Sequence, residues 1–208
     1  MKVLALELSS PRGSLAWIDD DVIVLREWPN DRKNSGPFFD NLLAIRKEFG
    51  LAERIIVGLG PGSYAGIRIA ISTAIGLEAS SQAQVIGYPS ICALKTDAKE
   101  YWVIGDARRQ SFFYARVESN ELLEGPLLLA GTELREKLAK LDRELPVFCF
   151  EHLTNFDRVS VSYPCASVLA SLARESRHHF ALPPLEPMYL RGPHVTVARA
   201  EAPSRVVR

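Results

Sequence analysis

A chain of 208 residues with 47 % apolar and 24 % charged side chains carries enough apolar material for one large buried core or two smaller ones. Lys+Arg and Asp+Glu balance at 25 each, which excludes the broad basic surface of a general nucleic-acid binder but not a local patch. Such low net charge favours association with other chains.

Cys92, Cys149 and Cys165 are far apart, and no CxxC or Cys/His ligand spacing occurs. They read as small buried hydrophobes in a reducing compartment. Glu7 comes too early for a signal peptide, and no apolar run approaches the roughly 20 residues of a membrane span. A cytoplasmic protein is expected.

Lys2–Leu8, Ser14–Ile18 and Val22–Trp28 read as strands, with Asp19-Asp-Asp21 as the second hairpin turn. They form an antiparallel meander. Asn30–Gly36 is polar loop. Pro37–Phe49 is a helix, capped by Ser35 or Gly36 and stopped by Gly50. Its stripe is Phe38, Leu42, Ile45 and Phe49; Phe39 and Leu43 widen that stripe past one core face. Ile55–Leu59 is a strand buried on both faces. After Gly60–Gly66, residues Ile67–Ser81 have helical periodicity. Ile67, Ala70, Ile71, Ala74 and Ile75 form the expected core stripe. Ile69, Thr73, Gly76 and Ser80 form a second face of mostly small residues.

Val85–Tyr88 is a strand and Pro89–Ala98 a helix. Tyr101–Gly105, Ser111–Val117, Glu121–Leu129, Val147–Phe150 and Val159–Val161 are strands. Thr132–Leu141, with Thr132 as N-cap, and Pro164–Ser176 are helices. The last thirty residues are Pro-rich and irregular, and disorder is expected from Val195 on. The second block partly repeats the element order of the first. The expected division is therefore a lobe over 1–100, a smaller lobe over 101–192 and a flexible tail over 193–208.

Gly60-Pro61-Gly62-Ser63-Tyr64-Ala65-Gly66 is the densest motif. It lacks the Gly-Lys-Ser/Thr of a Walker loop. It matches the dinucleotide pattern at Gly60, Gly62 and Ala65, yet the acid needed about 20 residues on is absent from Val85-Ile86-Gly87. A phosphate on the backbone N–H groups, assisted by Arg68, remains an open reading. Ser63 does not fit Gly-x-Ser-x-Gly. His178 and His179 are adjacent and diverge by about 100° on a helix, while His152 and His194 stand alone, so no metal site is expected. Glu7, at the end of the first strand, and Asp106 and Arg108, after the first strand of the second block, are candidate interlobe contacts or ligand groups.

Gly60-Pro-Gly-Ser-Tyr-Ala-Gly-Ile-Arg-Ile69 resembles the signature of the TsaB (YeaZ) family of tRNA threonylcarbamoyladenosine biosynthesis. Asp106-Ala-Arg108 with Phe113-Tyr114, and Pro187-Met-Tyr-Leu-Arg191, are similar to that family too, in family order. Glu7 stands where members usually carry aspartate, and the loop Asn30–Gly36 lacks a histidine often found there.

The resemblance implies an α/β fold of two actin-like (ASKHA, RNase H-like) lobes, each a mixed sheet flanked by helices. It implies a non-catalytic, glycoprotease-like partner without cofactor. That partner would support a TsaD-type transferase acting on adenosine 37 of tRNAs reading ANN codons, with a TsaE-type ATPase in the assembly. Pairing would run through the helices bearing Phe39, Leu43, Ile69, Thr73, Gly76 and Ser80. A homodimer is expected when the chain is alone, with tRNA contact indirect or weak. The rival expectation is a nucleotide-binding ATPase or kinase, with phosphate at Gly60–Gly66 and metal near Glu7. A peptidase is a third class, for which the sequence offers no metal ligands.

Overall fold

The computed structural model describes residues 1–31 and 34–191. The chain forms two five-stranded mixed sheets. In the first, β1 (Val3–Glu7), β2 (Arg12–Asp19) and β3 (Val22–Pro29) make an antiparallel meander. β4 (Arg54–Gly58) then pairs parallel to β1, and β5 (Gln84–Tyr88) parallel to β4. The second sheet repeats this plan. β6 (Glu100–Asp106), β7 (Ser111–Glu118) and β8 (Glu121–Ala130) are antiparallel, and the short β9 (Val147–Cys149) and β10 (Val159–Val161) extend it in parallel. The orders β3-β2-β1-β4-β5 and β8-β7-β6-β9-β10 match strand for strand. The fold therefore repeats where the sequence does not.

Strand alternation sends side chains to both faces of the first sheet, and both faces are covered. Leu4, Leu6, Trp17, Ile55 and Val57 pack under α1 (Gly36–Phe49) and α2 (Tyr64–Ser81). Val3, Ala5, Ala16 and Ile56 point the other way. They join Leu169 and Ala170 of α4 (Ala166–Leu172), and Val103 and Phe113 of the second sheet, in one core. α4 follows the last strand of the second sheet but packs on the first. α3 (Gly131–Lys140) covers the outer face of the second sheet through Leu134 and Leu138, over Trp102, Ile104 and Tyr114. All three cysteines are buried and free.

Several sequence expectations change. Pro89–Ala98 is not a helix but a single 3₁₀ turn, Ser90–Ala93. The carbonyls that would continue it are engaged elsewhere: Ile91 O by Tyr101 OH, Cys92 O by Asn120 Nδ2, and Ala93 O by Cys165 N–H. The last helix keeps only Ala166–Leu172 of the expected Pro164–Ser176. Thr132 lies inside α3; the carboxylate of Glu133 instead caps the Ala130 N–H at 2.8 Å. α2 begins at Tyr64, earlier than the periodicity predicts, because the Ser63 hydroxyl accepts from Gly66 N–H. The tail expected over 193–208 lies outside the described residues.

Candidate functional site

The glycine-rich turn is filled by the protein's own backbone. A Cβ on Gly62 would sit 2.1 Å from Ser9 O, and one on Gly66 would sit 2.2 Å from Leu8 O. These glycines let the turn press against the chain leaving β1. Gly60 has φ +93°, a left-handed conformation that favours glycine. Its N–H donates to Ser90 Oγ at 2.9 Å, and its carbonyl accepts from Ser90 N–H at 2.8 Å. Pro61 is buried in the turn. Ser63 N–H donates to Ser9 O at 2.6 Å. The amides of residues 60, 63 and 66 are thus spent internally. The phosphate reading loses those donors. Arg68 is held by its own helix, with Nη1 2.6 Å from Tyr64 OH and the guanidinium over that ring.

Glu7 is wholly buried at the end of β1. Its Oε1 accepts from Ser9 N–H at 2.6 Å, whereas Oε2 has no hydrogen-bond partner. Burial raises its pKa above the ordinary carboxylate value, since the charged form is the one penalised by desolvation. A Cβ on Gly58 would meet Oε2, so the carboxyl fills the space that glycine leaves. Strand alternation puts Glu7 on the same face of β1 as Val3 and Ala5, the face turned towards the second sheet, where it packs against Gly58 and near Ser90.

Three sequence motifs far apart in the chain meet at one cleft of about 490 Å³, where Gly62–Ala65 with Ile67, Asp106–Arg108 and Pro187–Leu190 form much of the lining. Asp106 and Arg108 do face it, paired locally: Asp106 Oδ1 takes Arg108 N–H at 2.7 Å, and Oδ2 lies 3.4 Å from Nη1. The C-terminal segment straps the mouth. Met188 N–H donates to Leu59 O, Tyr189 packs on Tyr64 with ring centroids 5.8 Å apart, and Arg191 Nη2 donates to Arg108 O. Cys149, in the cleft wall, is pushed up to about 11 by burial, so it stays a thiol at neutral pH. Among the described residues, no group of three or more His, Cys, Asp or Glu is placed to hold a metal.

The opposite end of the same helix belongs to a different surface. On α1, Phe38, Leu42 and Ile45 are buried, while Phe39 and Leu43 are 48 % and 54 % exposed. On α2, the core stripe is Ile67, Ala70, Ile71 and Ala74. Ile75, expected in that stripe, is 50 % exposed. At 100° per residue Ile75 lies at the edge of that stripe, towards the side that carries Arg68, Ser72 and Ala79, all exposed. Gly76 and Ser80 are exposed as well, and nothing lies within 4 Å of a Cβ built on Gly76. Ile69 and Thr73 are half-buried and, with Phe39, Arg68 and Ser72, line an open groove between the helices. The sequence reading missed Ser72 and Ile75. The signal was the 100° spacing itself, which sets Ile75 roughly 80° round the helix from Ile67.

Among solved structures, the chain resembles one described as an uncharacterized protein with similarity to peptidase YEAZ from Pseudomonas aeruginosa. That match has 22 % identity and a TM-score of 0.73, over 91 % of this chain and 99 % of that one. It also resembles YeaZ from Pseudomonas aeruginosa, at 19 % identity and a TM-score of 0.72, over 91 % of this chain and 100 % of that one. These likenesses establish a shared fold of two mixed sheets flanked by helices. None of the curated proteins matches the sequence. The family model described as TsaD, tRNA N6-adenosine threonylcarbamoyltransferase, matches residues 33–185, well over half of the 208, and the chain belongs to that family.

Proposed function

We propose that this chain is the non-catalytic partner of a TsaD-type transferase in N6-threonylcarbamoylation of adenosine 37 of tRNA. The carrying observation is the α1/α2 face. Phe39, Leu43 and Ile75 stand about half exposed on adjoining helices, beside an open position at Gly76. Small residues at 76, 79 and 80 let a second helix approach closely, and each large apolar side chain covered contributes about 1.5–3 kcal/mol when fully buried. Family membership and the YeaZ-like fold support this reading. So does the glycine-rich turn, whose amides serve the protein itself. The lobes, over 1–100 and 101–192, would be held in one arrangement by α4 and the strap, offering the transferase a rigid docking face.

The same face would pair two copies when no transferase is present, since a self-complementary helix pair closes with two-fold symmetry. A TsaE-type ATPase would join the heterodimer, and the whole assembly would work in the cytoplasm, where its tRNA substrate is. Among the described residues, no helix is long and apolar enough to cross a membrane. The test is reconstitution with the transferase of the same organism. Threonylcarbamoyl transfer to tRNA should depend on adding this chain. Transfer that proceeds equally well without it, or ATP hydrolysis by the isolated chain, would count against the partner role.

A further inference from the structure

One charged cluster lies away from both the cleft and the α1/α2 face. Where the C-terminal end of α3 meets the β9–β10 connection, Arg135, Arg143 and Arg158 line an open bowl of about 610 Å³, with Asp157 the one acid in its lining. Among the described residues, none of these arginines makes an ion pair. Asp142, in the same turn, directs its carboxylate to Glu144 N–H at 3.0 Å. The bowl therefore keeps a positive excess, although the chain as a whole is neutral.

Two of the guanidinium groups are fixed in advance. Arg158 donates to Leu141 O at 3.1 Å, to Leu145 O at 2.8 Å and to Asp142 O. Arg135 lies 5.7 Å over the ring of Phe156. Carbonyls and an aromatic face order these side chains without cancelling their full charge. Less rotamer entropy then remains to be lost when an anion arrives. The planar guanidinium matches the geometry of phosphate oxygens. The bowl is wide and open, and so suits a strand passing across it better than a small enclosed anion.

We propose that this bowl binds the phosphodiester backbone of RNA, with the tRNA of the transferase reaction as its occupant. The proposal rests on the partner reading above. It adds direct contact of two to three phosphates by this subunit, on the lobe away from the pairing helices. Such contact is sequence-independent and strongly salt-dependent.

The test uses the full chain and a labelled tRNA transcript, with binding followed by fluorescence anisotropy from 50 to 200 mM KCl. Wild type is compared with the Arg135→Ala/Arg143→Ala double variant; Arg158 is left in place because it ties down the end of α3. The double variant should bind roughly tenfold more weakly at the lowest salt, and its plot of log affinity against log salt should be shallower by about two. Should its melting temperature fall, Arg143→Ala alone, on an exposed turn, should lower the slope by about one. An unchanged slope in both variants overturns the proposal. So does a wild-type chain that binds inorganic phosphate in the bowl and tRNA no better. Neither substitution lies on α1 or α2, so pairing with the transferase is scored separately. Failed pairing with the bowl intact would count against the partner reading alone.

Discussion

Two sets of glycines in one strand–turn–helix unit serve opposite purposes. At the start of α2, Gly62 and Gly66 face backbone at 2.1 and 2.2 Å from where a Cβ would be. Towards its other end, Gly76 faces open space. The first pair is explained within the chain: the turn must lie against residues 8 and 9, and a side chain would force the two backbones apart. The last one is not. A helix-interior glycine that packs against nothing costs about 0.5–1 kcal/mol relative to alanine. Its smallness fits the docking face proposed above, where a second helix would come close. Glycine density alone therefore does not mark a ligand site; what a Cβ would meet is what separates the two cases.

The comparison is most easily broken at the turn. Gly62→Ala and Gly66→Ala should each cost about 3 kcal/mol or more, because the obstacle is backbone carbonyl and cannot swing aside. Chemical denaturation of the isolated chain measures this, and near-wild-type midpoints would mean the turn is looser than described. Phe39→Ala should act on the other side of the comparison. It should weaken pairing with the transferase by about 2 kcal/mol, roughly thirtyfold, while the isolated chain loses far less. Calorimetric titration beside a melting curve separates the two effects.

Glu7→Gln should stabilise the fold near neutral pH. The folded pKa is raised by burial above 4.5, so the wild-type contribution is fully present below about pH 4.5 and is lost as pH rises through the folded pKa. Glutamine keeps an acceptor for Ser9 N–H and does not ionise. The gap between variant and wild-type melting temperatures should therefore widen from pH 4 towards pH 8; a constant gap would contradict the raised pKa. The smallest effect is expected for Gly76→Ala, a gain of about 0.5–1 kcal/mol in the isolated chain, read from the denaturation midpoint.

Much of this fold is legible in the sequence. The period-2 and period-3.6 patterns placed the strands of both sheets and the two long helices within a few residues, because those elements bury regular stripes. The 89–98 segment was not legible. Its composition permits a helix, but Tyr101, Asn120 and Cys165, from three later parts of the chain, take its carbonyls. Nor was the place of α4, which crosses to the first sheet for tertiary reasons no local pattern records. At the candidate site, Phe39 and Leu43 were visible as a surplus of apolar residues on α1. Ile75 reads as core by its apolar type, although eight residues on from Ile67 it sits roughly 80° round the helix, at the edge of the stripe. The burial of Glu7 against Gly58 depends on a neighbouring strand, which no local pattern records.

The central claim is that the α1/α2 face is a docking surface. Pull-down of the same organism's transferase by wild type, Thr73→Arg and Gly76→Arg tests it most directly. Gly76→Arg meets no internal neighbour, and Thr73 borders the open groove, so both variants should fold. The account predicts that both lose the transferase and fail to support threonylcarbamoyl transfer. Folded variants that still bind and activate it would contradict the account.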